Sequence, residues 1–265
     1  MMQYISAAVL GIIEGITEFL PISSTGHLIL VNQFISFDKE FTFLFDIVIQ
    51  LGAIFAVLVY FRKKLWPFSK NPEEQKKSLS IWYKTIVGVL PALFLGYLFA
   101  NIIEEKLFNP WTVAIALLAG GLIILFIEKK YREPKITSIE NLSFKAALLI
   151  GLVQCLAMIP GTSRSAATII GAMIFGASRL VATEFSFFLA IPTMVAASAY
   201  SLIKYGAFFN IGQFLVLAIG FTVSFFVALA VIKFLINYIK TNNFRIFGYY
   251  RIILGIVIIA YYLIK

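Results

Sequence analysis

Residues 11–31 read GIIEGITEFLPISSTGHLILV, and residues 154–173 read QCLAMIPGTSRSAATIIGAM. Each is an apolar stretch broken midway by a proline and a cluster of Ser, Thr and Gly. Pro21 and Pro160 have no backbone N–H to donate and interrupt the helical ladder. Polar groups freed in this way at membrane depth survive only inside protein or beside a water-filled cavity. The surrounding apolar stretches, 4–36 and 144–180, therefore read as two re-entrant helix-turn-helix hairpins facing a protein interior.

Composition makes a bilayer the surrounding medium. Of 265 residues, 61% are hydrophobic and 13% charged, with a mean hydropathy of +0.94, whereas soluble domains carry roughly 25% charged residues. Outside the two hairpins, stretches 41–61, 82–101, 111–127, 183–203, 211–235 and 245–264 come close to the ~20 residues that cross a hydrocarbon core. The expected fold is an all-α polytopic membrane protein with six transmembrane helices plus two re-entrant hairpins. A formal net charge of +9 does not point to nucleic acid, because Lys and Arg sit in short loops between apolar runs rather than along one solvated face. Cys155 is the only cysteine, which excludes an intrachain disulfide and a thiolate zinc cage and leaves a small packing residue. The N-terminus has no charged region and small-residue cleavage pattern of the kind that marks a removable signal peptide.

The whole chain, 1–265, reads as one membrane domain made of two repeats, at about 1–127 and about 144–265. Setting residues 21–24 against 160–163 brings Gly11 near Gly151 and Glu14 near Gln154, with one residue of slippage. Each half is then a hairpin followed by three spans. A hairpin returns to its own side and three spans change side, so the second half is expected inverted relative to the first. The Lys and Arg residues of 62–77, 129–145 and 240–245 all fall on one side, and Lys39, Lys106, Lys204 and Lys265 on the other. The positive-inside rule makes the first group cytoplasmic, which opens the first hairpin outward and the second inward, with tips meeting near the midplane.

Glu14 and Glu18 stand one helical turn apart on one face. An acid at the centre of a membrane helix costs about 2.5–3.5 kcal/mol, so the pair needs a divalent cation, a shared proton or hydrogen bonds within the bundle. Ser23, Ser24, Thr25, Gly26 and His27 follow Pro21 at the start of a helix, where free amides and hydroxyls suit an anion; simple N-capping by a serine is the alternative. His27, the only histidine, suits a base, acid or nucleophile, with a satisfied core imidazole as the alternative. In the second hairpin Gly161, Thr162, Ser163, Ser165 and Thr168 surround Arg164, whose planar fork matches phosphate or carboxylate oxygens. A structural salt bridge from Arg164 to Glu14, Glu18 or Glu184 is compatible with that role. Asp46 and Glu184 open the first span of each half and are expected to orient the hairpins. Arg179 and Arg251 near span ends are expected to snorkel to head groups. The 27 Phe and 12 Tyr read as lipid-facing bulk and interfacial belt.

Together these groups describe metal-assisted hydrolysis of a lipid phosphate. The segments EGITEFLPISSTGH and PGTSRSAAT resemble the two signature segments of the bacterial undecaprenyl pyrophosphate phosphatase family, the bacitracin-resistance phosphatases, and FDIVIQLGAIFAVL and EFSFFLAIP are similar to the family in the expected order. The resemblance implies an enzyme of the bacterial cytoplasmic membrane. It would convert undecaprenyl pyrophosphate to the monophosphate at the outer face, recycling the carrier lipid of cell-wall synthesis. It also implies a divalent cation, with Mg2+ expected and Ca2+ the alternative. Carried over by motif, Glu14 and Glu18 hold the metal, Glu18, Ser24, His27 and Arg164 are the catalytic set, and Ser23, Thr25, Gly161, Thr162, Ser163, Ser165 and Thr168 contact substrate. The expected partners are a polyprenyl pyrophosphate and membrane lipids. The rival reading is a secondary transporter or flippase for a lipid phosphate or other anion, because inverted repeats with broken helices also build carriers. Ala119, Gly120 and Gly121 form a small-residue face that would suit either a homodimer or packing within one chain.

Overall fold

The computed structural model describes residues 2–35, 37–205 and 210–264, and within them the chain is helical with no named strand. Helix α1 is Met2–Thr17, α2 Ser24–Val31, α3 Lys39–Tyr60, α4 Arg62–Leu65, α5 Pro72–Leu107 and α6 Pro110–Lys129. Then follow α7, Phe144–Gln154, a 3-10 turn at Cys155–Met158, α8 at Arg164–Ile174, α9 at Arg179–Tyr205, α10 at Ile211–Ile239 and α11 at Arg245–Ile264. Six of these (α3, α5, α6, α9, α10 and α11) are long and apolar enough to cross a membrane. The chain is a multi-pass membrane protein. Large apolar side chains such as Phe94, Ile115, Phe226 and Ile253 are exposed on the outer faces, which suits lipid as the surrounding phase. Of the basic residues expected on the less charged side, Lys265 and the side chains of Lys39 and Lys204 lie outside the described residues.

The span ends are set by local chemistry. Asn71 and Asn109 accept from the amides of Glu73 and Thr112 at 3.0 and 2.9 Å, each followed by a proline whose missing N–H is not needed at that position. Asn210 and Gln213 form a reciprocal capping box at the start of α10. Pro91 in α5 and Pro192 in α9 lie inside spans, where each removes one helical hydrogen bond.

The two broken segments each give a pair of helices too short to cross alone: 16 and 8 residues in α1 and α2, 11 and 11 in α7 and α8. Helix α1 lies along α10, α7 lies along α5, and α6 pairs with α11. Glycine permits the first two contacts. A Cβ on Gly11 would stand 2.8 Å from the Gly220 carbonyl oxygen, and one on Gly151 would overlap the carbonyl of Gly88. Gly120 and Gly121 are spent on the α6–α11 contact, since Gly121 faces the Gly248 carbonyl and Gly120 faces Arg251. Those two glycines pack helices within the chain, while Ala119 is exposed.

Gly151→Ala is expected to push α7 from α5 and lower unfolding free energy by about 1–3 kcal/mol, measured on detergent-solubilised protein. Gly96→Ala, where an added Cβ meets nothing within 4 Å, is expected to be neutral or stabilising by up to ~1 kcal/mol.

Candidate functional site

Both breaks end in the same local structure. Ser23 (φ 73°) and Ser163 (φ 69°) are the non-glycine residues of positive φ among those described. Each caps the helix that follows, its hydroxyl oxygen accepting from the amide of Gly26 or Ala166 at 3.3 Å. A left-handed serine costs roughly 1–3 kcal/mol, and that strain sits at the two turns that carry the polar motifs. The same spacing separates Gly11 from Gly151, Glu14 from Gln154 and Ser23 from Ser163. At that spacing Pro21 falls against Gly161, and Pro160 against Leu20.

The turns bring three side chains together. Ser24 donates its hydroxyl to Glu18 Oε2 at 2.7 Å, and Arg164 Nη2 donates to Glu18 Oε1 at 3.0 Å. Arg164 Nη1 donates to the Ser186 carbonyl at 3.0 Å, and the guanidinium carbon lies 5.7 Å from the Phe19 ring centroid. Of the salt-bridge partners considered for Arg164, Glu18 is the one observed; Glu184 pairs instead with Lys64 at 2.7 Å. Arg164 Nε is buried without a partner. A hydroxyl donating to a carboxylate that is itself held by a cation is the arrangement of an activated nucleophile, its base and the group that orients the base.

These groups line a cavity of about 240 Å³ together with Ser23, Thr25, Gly161 and Ser163, and with Gln50 and Gln154. Four lining residues, Ala92, Met158, Thr193 and Ala197, also border a larger apolar cavity of about 580 Å³ between α5 and α9. Ala92 and Thr193 directly follow the two intrahelical prolines. Glu14 is 2% exposed and is not among the residues lining this cavity, and its Oε1 lacks a partner. Asp46, one turn from Gln50 on α3, also has a buried oxygen without a partner. Among the described residues no three His, Cys, Asp or Glu side chains converge as a metal cage.

The remaining sequence candidates stand apart from this cavity. His27 Nδ1 is 2.7 Å from the Ser23 carbonyl oxygen and Nε2 is 2.7 Å from the Tyr250 hydroxyl, with the two rings stacked. A protonated Nδ1 donating to the carbonyl and an Nε2 accepting from the phenol satisfy both contacts. Ser165 donates to the Leu20 carbonyl at 2.9 Å, tying the second turn to the first. The Thr168 hydroxyl bonds the Ser186 hydroxyl at 2.7 Å, and the Thr162 carbonyl accepts from Arg251. Glu184 lies at the basic end rather than beside the hairpin turns. Arg179 does not snorkel: it grips Glu128, which also accepts from the Phe244 amide. Nor does Arg251, which is 0% exposed. Its place inside the last span carried the signal, since an arginine at membrane depth demands partners.

The description "Bacitracin resistance protein BacA" matches residues 7–257. The chain belongs to the BacA family. It is 50% identical over 266 residues to undecaprenyl-diphosphatase 1 of Clostridioides difficile (strain 630), covering 99% of this chain and 97% of that protein. It is also 50% identical over 266 residues to an undecaprenyl-diphosphatase of Enterococcus faecalis (strain V583), covering 97% and 96%, and over 261 residues to one of Lachnoclostridium phytofermentans, covering 96% and 95%. The BacA match takes in both turns, all three members of the Ser24, Glu18 and Arg164 group, and Arg251.

Glu18→Ala in this BacA protein leaves the Arg164 charge buried without its carboxylate and is expected to destabilise by about 3–5 kcal/mol. Adding Arg164→Met should recover most of that loss in thermal unfolding; no recovery would show that the ion pair is not what the fold relies on.

Proposed function

We propose that this chain hydrolyses undecaprenyl pyrophosphate to undecaprenyl phosphate and inorganic phosphate, recycling the carrier lipid used for cell-wall polymers. The observation that carries the reading is the junction of the two cavities. A wall of Glu18, Ser24 and Arg164 suits a diphosphate, and the apolar flank that shares Ala92, Met158, Thr193 and Ala197 suits the first isoprene units of its tail. The names of the curated relatives support the same substrate.

In the proposed mechanism Ser24 Oγ attacks the terminal phosphorus as its proton passes to Glu18. The bond from that phosphorus to the bridging oxygen breaks, and undecaprenyl phosphate leaves with the electron pair. Glu18 hands that proton to the departing phosphate, then takes one from water as the water attacks the phosphoserine and passes it to Ser24 Oγ as the phosphorus–Oγ bond breaks, giving inorganic phosphate and restoring the Ser24 hydroxyl. Arg164 neutralises charge on the non-bridging oxygens, using the donors it does not spend on Glu18 and Ser186. Ser24 is favoured over His27 as nucleophile because His27 turns both ring nitrogens to Ser23 and Tyr250. Mg2+ usually takes one or two carboxylates and completes its sphere with water and substrate phosphates. The free oxygen of Glu14 and the carboxylate of Glu18 fit a divalent cation held in that way, with Mg2+ first and Ca2+ second. Such an ion would supply charge neutralisation to the diphosphate.

Re-entrant hairpins in an inverted repeat are part of the same proposal. Exchanging α1, α2, α3, α5 and α6 for α7, α8, α9, α10 and α11 turns the α1–α10 contact into α7–α5 and returns α6–α11 to itself. The outward opening is supported by Phe43, Tyr97, Phe108 and Tyr200, which line the apolar cavity near span ends opposite the basic loops.

Purified protein in detergent with Mg2+ is expected to release phosphate from a polyprenyl pyrophosphate and to stop with EDTA. Absence of release alongside lipid movement across vesicles would replace the hydrolase with the carrier. Ser24→Ala should lower turnover on the order of 10³-fold or more, and rapid quenching of the native enzyme should trap an acid-stable phosphoserine. An acid-labile adduct would move the attack to His27. Gly96→Trp, which fills the apolar cavity, should raise KM about tenfold for C55 and C15 pyrophosphates alike and leave inorganic pyrophosphate, which has no tail, unaffected.

A further inference from the structure

Arg251 is the largest side chain that is fully buried, and among the described residues no carboxylate pairs with it. Its acceptors are backbone carbonyls from three separate segments. Nη1 donates to Pro21 at 3.4 Å in the first turn; Nη2 donates to Gly161 and Thr162 at 3.1 and 3.0 Å in the second, and to Ala116 of α6 at 3.1 Å. Pro21 is three residues before Ser24, and Thr162 is two residues before Arg164. The guanidinium thus bonds the backbone that carries each half of the catalytic group without reaching the cavity itself.

The seat for this guanidinium is Gly120. A Cβ there would come within 3.0 Å of Nη2, Cζ and Nε at once, so no side chain larger than hydrogen fits under the fork. Ala116, whose carbonyl oxygen accepts from Nη2, is one helical turn away on the same face of α6. A lysine could not replace the fork, because one ammonium on a flexible stem cannot meet carbonyls on two turns in fixed directions. Among the described residues the other hydrogen bonds between the turns are Ser165 to Leu20 and Arg164 to Glu18, and the second of these is exposed to substrate during turnover.

We propose that Arg251, seated on Gly120, is a positioning residue that clamps the two broken turns together and so sets Ser24 against Arg164. The inference rests on the hydrolase reading for its kinetic consequence and on geometry alone for its structural one. Misplacement of reacting groups by about 1 Å is enough for a loss near 10²-fold.

The test uses full-length protein in detergent, comparing Arg251→Lys, Gly120→Ala, their double variant and Gly255→Ala. Gly255 packs α11 against Leu118 and the Ala114 carbonyl on the same α6–α11 contact, clear of the guanidinium. Phosphate release from a polyprenyl pyrophosphate with Mg2+ gives kcat and KM; amide exchange is followed in peptides across 18–27 and 158–167. Arg251→Lys and Gly120→Ala should each lower kcat about 100-fold with KM held within about threefold. The double variant should be no worse than the poorer single one, because both act through one clamp. Both turns should exchange about tenfold faster in each variant. Gly255→Ala should lower the melting temperature and leave kcat and turn exchange as in the native protein. The proposal is overturned by native kcat or native turn exchange in a folded Arg251→Lys protein, by losses that multiply in the double variant, or by Gly255→Ala giving the same kinetic defect. If Arg251→Lys does not fold, Gly120→Ala, which keeps the guanidinium and unseats it, decides the matter. If the native protein releases no phosphate, the hydrolase reading fails, and exchange at the two turns alone judges the clamp.

Discussion

A backbone break in apolar surroundings leaves carbonyls and hydroxyls that must be met by protein, and the rest of this fold is arranged around that demand. The two turns meet it largely from each other and from one distant arginine. Ser165 reaches Leu20 in the opposite turn, and Arg251 collects carbonyls from both. Each turn is therefore a partner of the other, and neither could sit where it does alone. The left-handed serines that cap the following helices belong to the same solution, since they redirect the chain while filling the first free amides.

The polar group at the centre follows from this closure. Glu18 would be an expensive charge by itself, but Ser24 and Arg164 satisfy both its oxygens. What the surroundings leave incomplete is equally informative. Glu14, Asp46, Gln154 and Arg164 all keep a buried polar atom without a partner, and buried polar atoms in folded proteins are nearly always paired. Gln154 and Arg164 line the cavity itself, where a charged head group would supply missing bonds.

Hydropathy made the six spans legible, because length and apolar content are set by the bilayer and little else. The Glu14, Glu18, Ser24, Arg164 motif was legible because charge is rare in such stretches. Contacts between residues far apart in the chain were not. Tyr250 and His27 are 223 positions apart, and nothing in the run around His27 says that its ring turns away from Ser24. Arg251 looked like an end-of-span residue because seven positions into a helix is shallow by count, while its actual depth depends on how α11 lies against α6. Asp46 and Glu184 looked equivalent as openers of each half, yet Lys64 captures only Glu184. Pro91 and Pro192 were hidden inside strong hydropathy, although they sit where α5 and α9 border both cavities.

The shared wall between the polar and apolar cavities has a further consequence. An amphiphile that keeps its chain in the bilayer while its head group enters never crosses bulk water, so capture is a search in two dimensions. The concentration that governs saturation is then the mole fraction of the lipid in its leaflet. Diluting the substrate with other lipids or detergent would slow the enzyme even when the molar amount is unchanged, and the product departs sideways into the pool from which the next substrate arrives.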